Sequence, residues 1–240
     1  GLVRPNNPIP SRAAVGSPEA ARRLITMAQP IRGTPVETYL AGRGIAPVHD
    51  AGALRYHPRC YYRPDDGGPA QRRLAMIASV TDLQGRITGA HRTWLAPDGS
   101  GKAAVTTPRR AMGNLLGHAV RFGVAEDILA VGEGIETMLS LRAALPGMPM
   151  AAALSASHLG ALEIPRSLRR LYIARDADPA GDKAAATLTA RAVAVGIAVR
   201  VLSPRGGDFN DDLQAAGLEE LQAALRPQLD PQDAGRLEQR

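Results

Sequence analysis

The chain has 240 residues, 45% of them hydrophobic, with one cysteine and a formal net charge of +6. That apolar content suits one good core, or a core and a smaller satellite, and is too high for a disordered tail. The single Cys60 excludes an internal disulfide framework and a cysteine-based zinc site, and no apolar run reaches the length of a membrane span. No signal peptide opens the chain, so a cytoplasmic protein with no membrane partner is expected. It starts at Gly1 without Met, as an excised or processed piece would.

Residues 1–18 are rich in Pro, Asn and Ser and read as a linker or arm. A helix is expected after Ser17, with Pro18 at its first position, and a second over "TPVETYLAGRG", capped by Thr34 and stopped at Gly42 or Gly44. "RRLAMIASVTD" and "GRITGAHRTWLA" flank the turn residues Leu83, Gln84 and Gly85 and read as a β-hairpin. In its second strand the two-residue period puts Ala90, Arg92 and Trp94 on one face and His91 and Thr93 on the other. After Gly123 the pattern becomes regular: strands at "DILAVGEG", "MPMAAAL", "RRLYIARD" and "IAVRVLS" alternate with helices, which implies a parallel sheet covered on both faces. This divides the chain into an arm (1–18), a basic subdomain (19–123), an α/β domain (124–225) and a polar, flexible tail (226–240).

Charge follows the same division. Residues 1–125 carry 17 Lys+Arg against 7 Asp+Glu, whereas residues 126–240 carry 12 against 16. A basic half joined to an acidic one suits a protein that holds phosphates with one part and metal ions with the other. Two ordinary surfaces in an arginine-rich protein would give the same totals.

In open parallel sheets ligands collect beyond the carboxyl ends of the strands. Three acidic clusters fall there: Glu133 after "ILAVG", Asp176 and Asp178 after "LYIA", and Asp208 to Asp212 after "VRVLSPRGG". Glu136 lies one turn into the following helix, on the side open to the same crevice. Converging carboxylates raise one another's pKa unless a hard cation such as Mg²⁺ neutralises them. Taken singly, Glu133 is explained as a favourable charge at a helix N-terminus, and Asp208 as a helix cap. His158 after "LSAS" lacks the partners of a nucleophilic triad and reads as a surface helix-start residue; Cys60 and Trp94 read as packing, and Arg175 as structural.

"VGEGIET", "RDADPAG" and "GDFNDDL", in that order, resemble the toprim domain of primases, topoisomerases and some nucleases, over about residues 124–225. The stretch "RRLAMIASVTDLQGRITGAHRTWLAPDGSGKAAVTTPRRAMGNLLG" resembles the basic subdomain of DnaG-type primases, and "YLAGRGI" the small helical element before it. The resemblance implies an α/β fold, with a toprim domain built on a four-stranded, mainly parallel sheet and preceded by a smaller α+β basic subdomain. It implies a compact primase catalytic core of phage, plasmid or mobile-element type, a metal-dependent nucleotidyltransferase using Mg²⁺ or Mn²⁺. Glu133, Asp176 and Asp178 would be catalytic, and would hold metal together with Asp208 and Asn210. Arg92 and Lys102 would meet template or incoming nucleotide, and Arg72, Arg73, Arg109 and Arg110 would line the nucleic-acid track. Lys102 and Lys183 are the only lysines beside 27 arginines, which marks both as candidates for a phosphate contact. The implied partners are single-stranded DNA, nucleoside triphosphates and, in a longer protein, a helicase or zinc-binding module. Two features depart from the family pattern: the zinc-binding module is missing, and Asn210 stands where Asp is frequent and ligates metal more weakly. The alternatives are a toprim nuclease, or a nucleic-acid-binding replication accessory with a degenerate site; the lack of a strand-breaking tyrosine domain argues against a topoisomerase.

Overall fold

A computed structural model describes residues 16–48 and 51–237, which form two sheets sharing one continuous core. Helix α1 (Pro18–Thr26) is capped by the Ser17 hydroxyl, which accepts from the Ala20 N–H, and α2 (Pro35–Ala41) by Thr34, which accepts from the Val36 N–H. The first sheet is an antiparallel meander in the order β1 (Leu54–Tyr62), β2 (Gln71–Thr81), β3 (Ile87–Trp94), β4 (Arg109–Gly113). The hairpin expected between β2 and β3 is present, its turn held by Asp82 Oδ1, which accepts the N–H groups of Gln84 and Arg86. Strand β1 has no counterpart in the sequence reading; its one bulge, between His57 and Cys60, accommodates Pro58.

The second sheet has five strands rather than four. Its order is β5 (Val120–Phe122), β7 (Met150–Ala152), β6 (Ile128–Gly132), β8 (Arg170–Ala174), β9 (Ala198–Leu202). All pairs are parallel except β5 with β7, so Val120–Phe122, assigned by sequence to the basic subdomain, closes the edge of the α/β sheet. The connecting helices are α3 (Ile135–Ala144), α4 (Ala156–Ala161), α5 (Pro179–Ala194) and α6 (Phe209–Leu225), the last broken at Gly217. None of the described helices is long and apolar enough to cross a membrane.

Strands β6 and β8 are buried along their whole length, as central parallel strands covered on both faces must be. One face packs against α3, α6 and the α2 region through Tyr39, Leu40, Met138, Phe209 and Leu213. The other packs against α4 and α5 through Leu159, Leu188 and Ala192. A separate cluster of Ala21, Cys60, Tyr62, Ile77 and Trp94 lies between α1 and the first sheet, so Cys60 and Trp94 are packing residues.

The C-terminal segment carries a further helix as far as Leu237, within the stretch read from sequence as a polar tail. Helix α7 (Pro231–Leu237) is anchored by Asp233, fully buried and accepting hydrogen bonds from Arg169, Arg170 and the Tyr172 hydroxyl. These charge-assisted bonds supply what a short polar helix lacks in apolar surface.

Candidate active site

The carboxyl ends of β6 and β8 open into a cleft of about 570 Å³. Glu133 follows β6 directly, held by the Leu154 N–H, which donates to the Glu133 carbonyl at 2.8 Å. Leu154 takes a left-handed backbone with φ of 78°, a conformation unusual for a non-glycine residue, at the point where its N–H fixes the Glu133 loop. Asp176 follows β8, and the next helix begins so close to it that a Cβ at Gly181 would lie 2.4 Å from the Asp176 carbonyl oxygen. The glycine spaced behind the two aspartates is therefore a packing requirement. Asp178 caps that helix, its Oδ1 accepting from the Gly181 N–H at 2.7 Å. Asp208 caps α6 with Oδ1, and its Oδ2 accepts from the Thr137 hydroxyl at 3.3 Å.

Glu133, Asp176 and Asp208 line the cleft together. Burial, then the negative charges of Asp176 and Asp178, push Glu133 up to about 7. Burial and the charges of Asp208, Asp178 and Asp211 raise Asp176 to about 6. Glu133 Oε1 and Asp176 Oδ1 are buried without a hydrogen-bond partner. Among the described residues no three metal-ligating side chains are already drawn into a cluster. The carboxylates converge without closing. Two orphaned oxygens on mutually repelling groups fit a hard divalent cation, which would satisfy both and relieve the repulsion.

The same cleft is also lined by basic residues. Arg43, from the turn after α2, Lys102, from the loop after β3, and Arg109, from β4, line it. Lys102 Nζ lies 3.6 Å from Glu136 Oε1, which also accepts from the Tyr39 hydroxyl at 2.6 Å. Burial alone would raise the Glu136 carboxyl, but Lys102 and the Tyr39 bond outweigh it and hold it below its ordinary value.

Several sequence assignments are relocated. Asn210 is buried and its amide is spent: Oδ1 accepts from Arg43 Nη1 at 2.7 Å, while Nδ2 donates to the Arg43 carbonyl and to the Ser140 hydroxyl. It anchors the α2 turn and does not line the cleft. Arg92 faces the aromatic cluster, its guanidinium 5.1 Å from the Trp94 ring, and does not line the cleft; His91, on the opposite face of β3, does. Arg110 borders the cleft but is held by Asp65 and lies over Tyr62. Arg72 and Arg73 lie over Tyr61 and Tyr62 and do not line the cleft, and Lys183 is exposed on α5, also outside it. Arg175 pairs with Asp182. Arg43, Tyr39, His91 and His158 belong to the site or its support, and sequence reasoning gave none of them a part in it. The one available signal was the i, i+4 spacing of Tyr39 and Arg43, which sets the guanidinium 5.4 Å from the ring centroid.

Residues 15–122 match the family described as a domain of unknown function (DUF7146), and residues 128–219 match the Toprim domain. No curated protein matches the chain by sequence. Among solved structures, a DNA primase domain from Pseudomonas aeruginosa is similar at TM-score 0.58 and 18% identity, covering 88% of this chain and 78% of that one. The zinc-binding and RNA polymerase domains of the Aquifex aeolicus primase are similar at 0.59 and 17%; 88% of this chain is covered, but only 60% of that one. The RNA polymerase domain of Mycobacterium tuberculosis primase DnaG is similar at 0.52 and 16%, covering 90% of this chain and 84% of that one. Identities this low speak for the fold alone. Residues 128–219 are thus a Toprim domain, and with the region before them they take the fold of DnaG-type primase catalytic cores.

Proposed function

We propose that this chain is the catalytic core of a primase, joining nucleoside triphosphates into a short primer on single-stranded DNA with Mg²⁺ or Mn²⁺. The observation that carries this reading is one cleft lined both by Glu133, Asp176 and Asp208, from the strand ends of the α/β sheet, and by Arg43, Lys102 and Arg109, from the region before it. Hydrolysis of DNA needs only the acidic residues. A triphosphate brings more negative charge than one or two metal ions neutralise, and the basic residues are where the remainder is met.

Glu133, Asp176 and Asp208 would hold the metal, and Asp178 adds negative field to the first two. A bound divalent cation supplies a Lewis acid that lowers the pKa of an attacking hydroxyl and stabilises a departing pyrophosphate. Lys102 and Arg109 orient the triphosphate, and Glu136, braced by Tyr39, keeps the Lys102 ammonium aimed into the cleft. Arg72 and Arg73, with the exposed Tyr61 beside them, offer charge and a stacking face to the template. A helicase or a zinc-binding module, fused or separate, is the partner class this role calls for. These substrates belong in the cytoplasm.

The test is incubation with single-stranded DNA, labelled nucleoside triphosphates and Mg²⁺ or Mn²⁺, reading for new oligomers and template loss in the same reaction. Template-dependent oligomers are expected. Template degradation without oligomers would replace this reading with that of a toprim nuclease.

A further inference from the structure

We propose that Thr137 is a positioning residue for metal binding, its hydroxyl holding the Asp208 carboxylate turned into the cleft; this rests on the metal reading of the carboxylates above. The two oxygens of Asp208 do different work. Oδ1 accepts the N–H groups of Asn210 at 2.7 Å and of Asp211 at 2.9 Å, and so caps α6. One oxygen suffices for that, and Asn or Ser would cap the helix as well. Oδ2 accepts from Thr137 Oγ1, on a residue 71 positions earlier in the first turn of α3. Thr137 is buried and lines the cleft together with Glu133, Asp176 and Asp208.

The surroundings of α3 send this hydroxyl to Asp208 and not back along its own helix. A helical Ser or Thr can donate to the carbonyl four residues earlier, as Ser140 of the same helix does to Glu136 at 2.8 Å. For Thr137 that carbonyl belongs to Glu133, and it already accepts from the Leu154 N–H. Gly134 makes the room, since a Cβ there would lie 2.9 Å from Thr137 Oγ1. Asp208 needs such a hold. Its charge reaches Asp176, whose carboxyl it helps to raise, so repulsion favours rotation of Asp208 out of the cleft when no cation is bound. A donor on Oδ2 opposes that rotation and leaves the oxygen a further lone pair for the cation. Groups that orient metal-binding carboxylates in this way contribute about ten- to a hundredfold in metal affinity. A contact that merely tied α3 to α6 would contribute to stability alone.

The experiment titrates the metal-free full chain with Mn²⁺ by calorimetry, for the wild type, Thr137→Val, Thr137→Ala and Thr137→Ser, with thermal melts in chelator alongside. Thr137→Val keeps the branched shape and removes the donor, so Mn²⁺ affinity should fall roughly tenfold while the metal-free melting temperature stays close to that of the wild type. Thr137→Ala removes the same donor with a residue that a helix favours, and should show the same loss. Thr137→Ser still donates and should bind Mn²⁺ nearly as well as the wild type. Wild-type affinity in the valine or alanine variant overturns the proposal, and a lowered melting temperature with it makes the contact a structural tie. A serine variant as weak as the valine one overturns it too, because the donor is present there. In each of these cases the metal reading stands. A wild type that binds no Mn²⁺ removes that reading and this inference with it.

Discussion

Arg43 and Asn210 hold one another twice: Arg43 Nη1 donates to Asn210 Oδ1 at 2.7 Å, and Asn210 Nδ2 donates to the Arg43 carbonyl at 2.9 Å. The pair ties the turn after α2 to the start of α6 and sets Arg43 at the rim of the cleft. Asn210→Ala removes these hydrogen bonds from the part-buried Arg43 carbonyl and guanidinium and should cost about 1–3 kcal/mol of stability. Asn210→Asp keeps an acceptor for Arg43 but loses the two donated bonds, so it should destabilise too. Neither should change Mn²⁺ affinity at temperatures where both variants stay folded. A tighter metal site in Asn210→Asp, measured by calorimetry, would return this position to the ligand set.

What was legible in the sequence follows the strength of local signals. Strands β6 to β8 and their helices stand out because fully buried strands are short apolar runs, and each helix here is punctuated by Pro or Gly; β9, an edge strand largely exposed, still reads as an apolar run. Strand β1, "LRYHPRCYY", is an edge strand that buries few of its residues and carries a Pro at its bulge, so neither periodicity nor composition marks it. Helix α7 is invisible to a hydrophobic pattern because Asp233 and three distant partners fix it. The carboxylates of the cleft were readable because a strand end tells where a side chain goes. The roles of Asn210 and Arg92 were not, since one depends on a residue 167 positions away and the other on which face of β3 the cleft occupies.

Asp176→Asn should abolish primer synthesis and leave the fold intact. The substitution removes one of the charges that raise Glu133, so stability without metal should be equal or slightly higher. Turnover with Mg²⁺ together with thermal melts in chelator checks both halves. A variant with wild-type turnover would end the metal-site reading.

Glu133 and Asp176 also set a pH dependence with a definite sign. Their folded-state values, about 7 and about 6, lie above the ordinary 4.5 and 3.8, so the folded chain holds protons the unfolded chain has released. These two groups therefore make the metal-free protein less stable as pH rises from about 4 to about 7. A divalent cation competes with those protons, so stabilisation by added Mg²⁺ or Mn²⁺ should grow from pH 5 to pH 8. Melting curves at fixed metal concentration across that range provide the check. Stabilisation that is flat or falls with pH would separate the metal from these carboxylates.

Adjacent in sequence, Arg109 and Arg110 should respond differently to charge reversal. Arg109 is exposed and adds its positive field to Lys102 and His91, whereas Arg110 is bound by Asp65 and lies over Tyr62. Arg109→Glu should weaken single-stranded DNA binding and flatten its log–log salt dependence by about 0.7 for each phosphate that is no longer neutralised. Arg110→Glu should chiefly lower stability, by setting two negative groups together and uncovering an aromatic ring. Fluorescence anisotropy over a salt series and a denaturant titration separate the two effects. Salt-independent binding by the wild type would remove the basic half from the nucleic-acid path.

Lys102 and Arg92 separate nucleotide binding from packing within a single loop and strand. Lys102 faces the cleft beside Glu136, and its partial burial lowers its pKa while Glu136 opposes that change. In a nuclease the incoming group is water, and nothing in the site need recognise a triphosphate. In a primase the loss of Lys102 removes a charged hydrogen bond to that triphosphate. Lys102→Ala should therefore raise the apparent KM for nucleotide or lower turnover by about 1.5–3 kcal/mol in kcat/KM, with little change in DNA affinity. Arg92 is assigned no such role, because its guanidinium lies over Trp94 on the far face of the sheet. Arg92→Ala should lower stability by exposing that aromatic cluster and leave the KM for nucleotide near the wild-type value. Steady-state kinetics on folded fractions of both variants give the comparison. If Lys102→Ala polymerises normally, the basic residues of the cleft have no part in holding nucleotide; if Arg92→Ala instead loses nucleotide binding, that face of the sheet belongs to the substrate path.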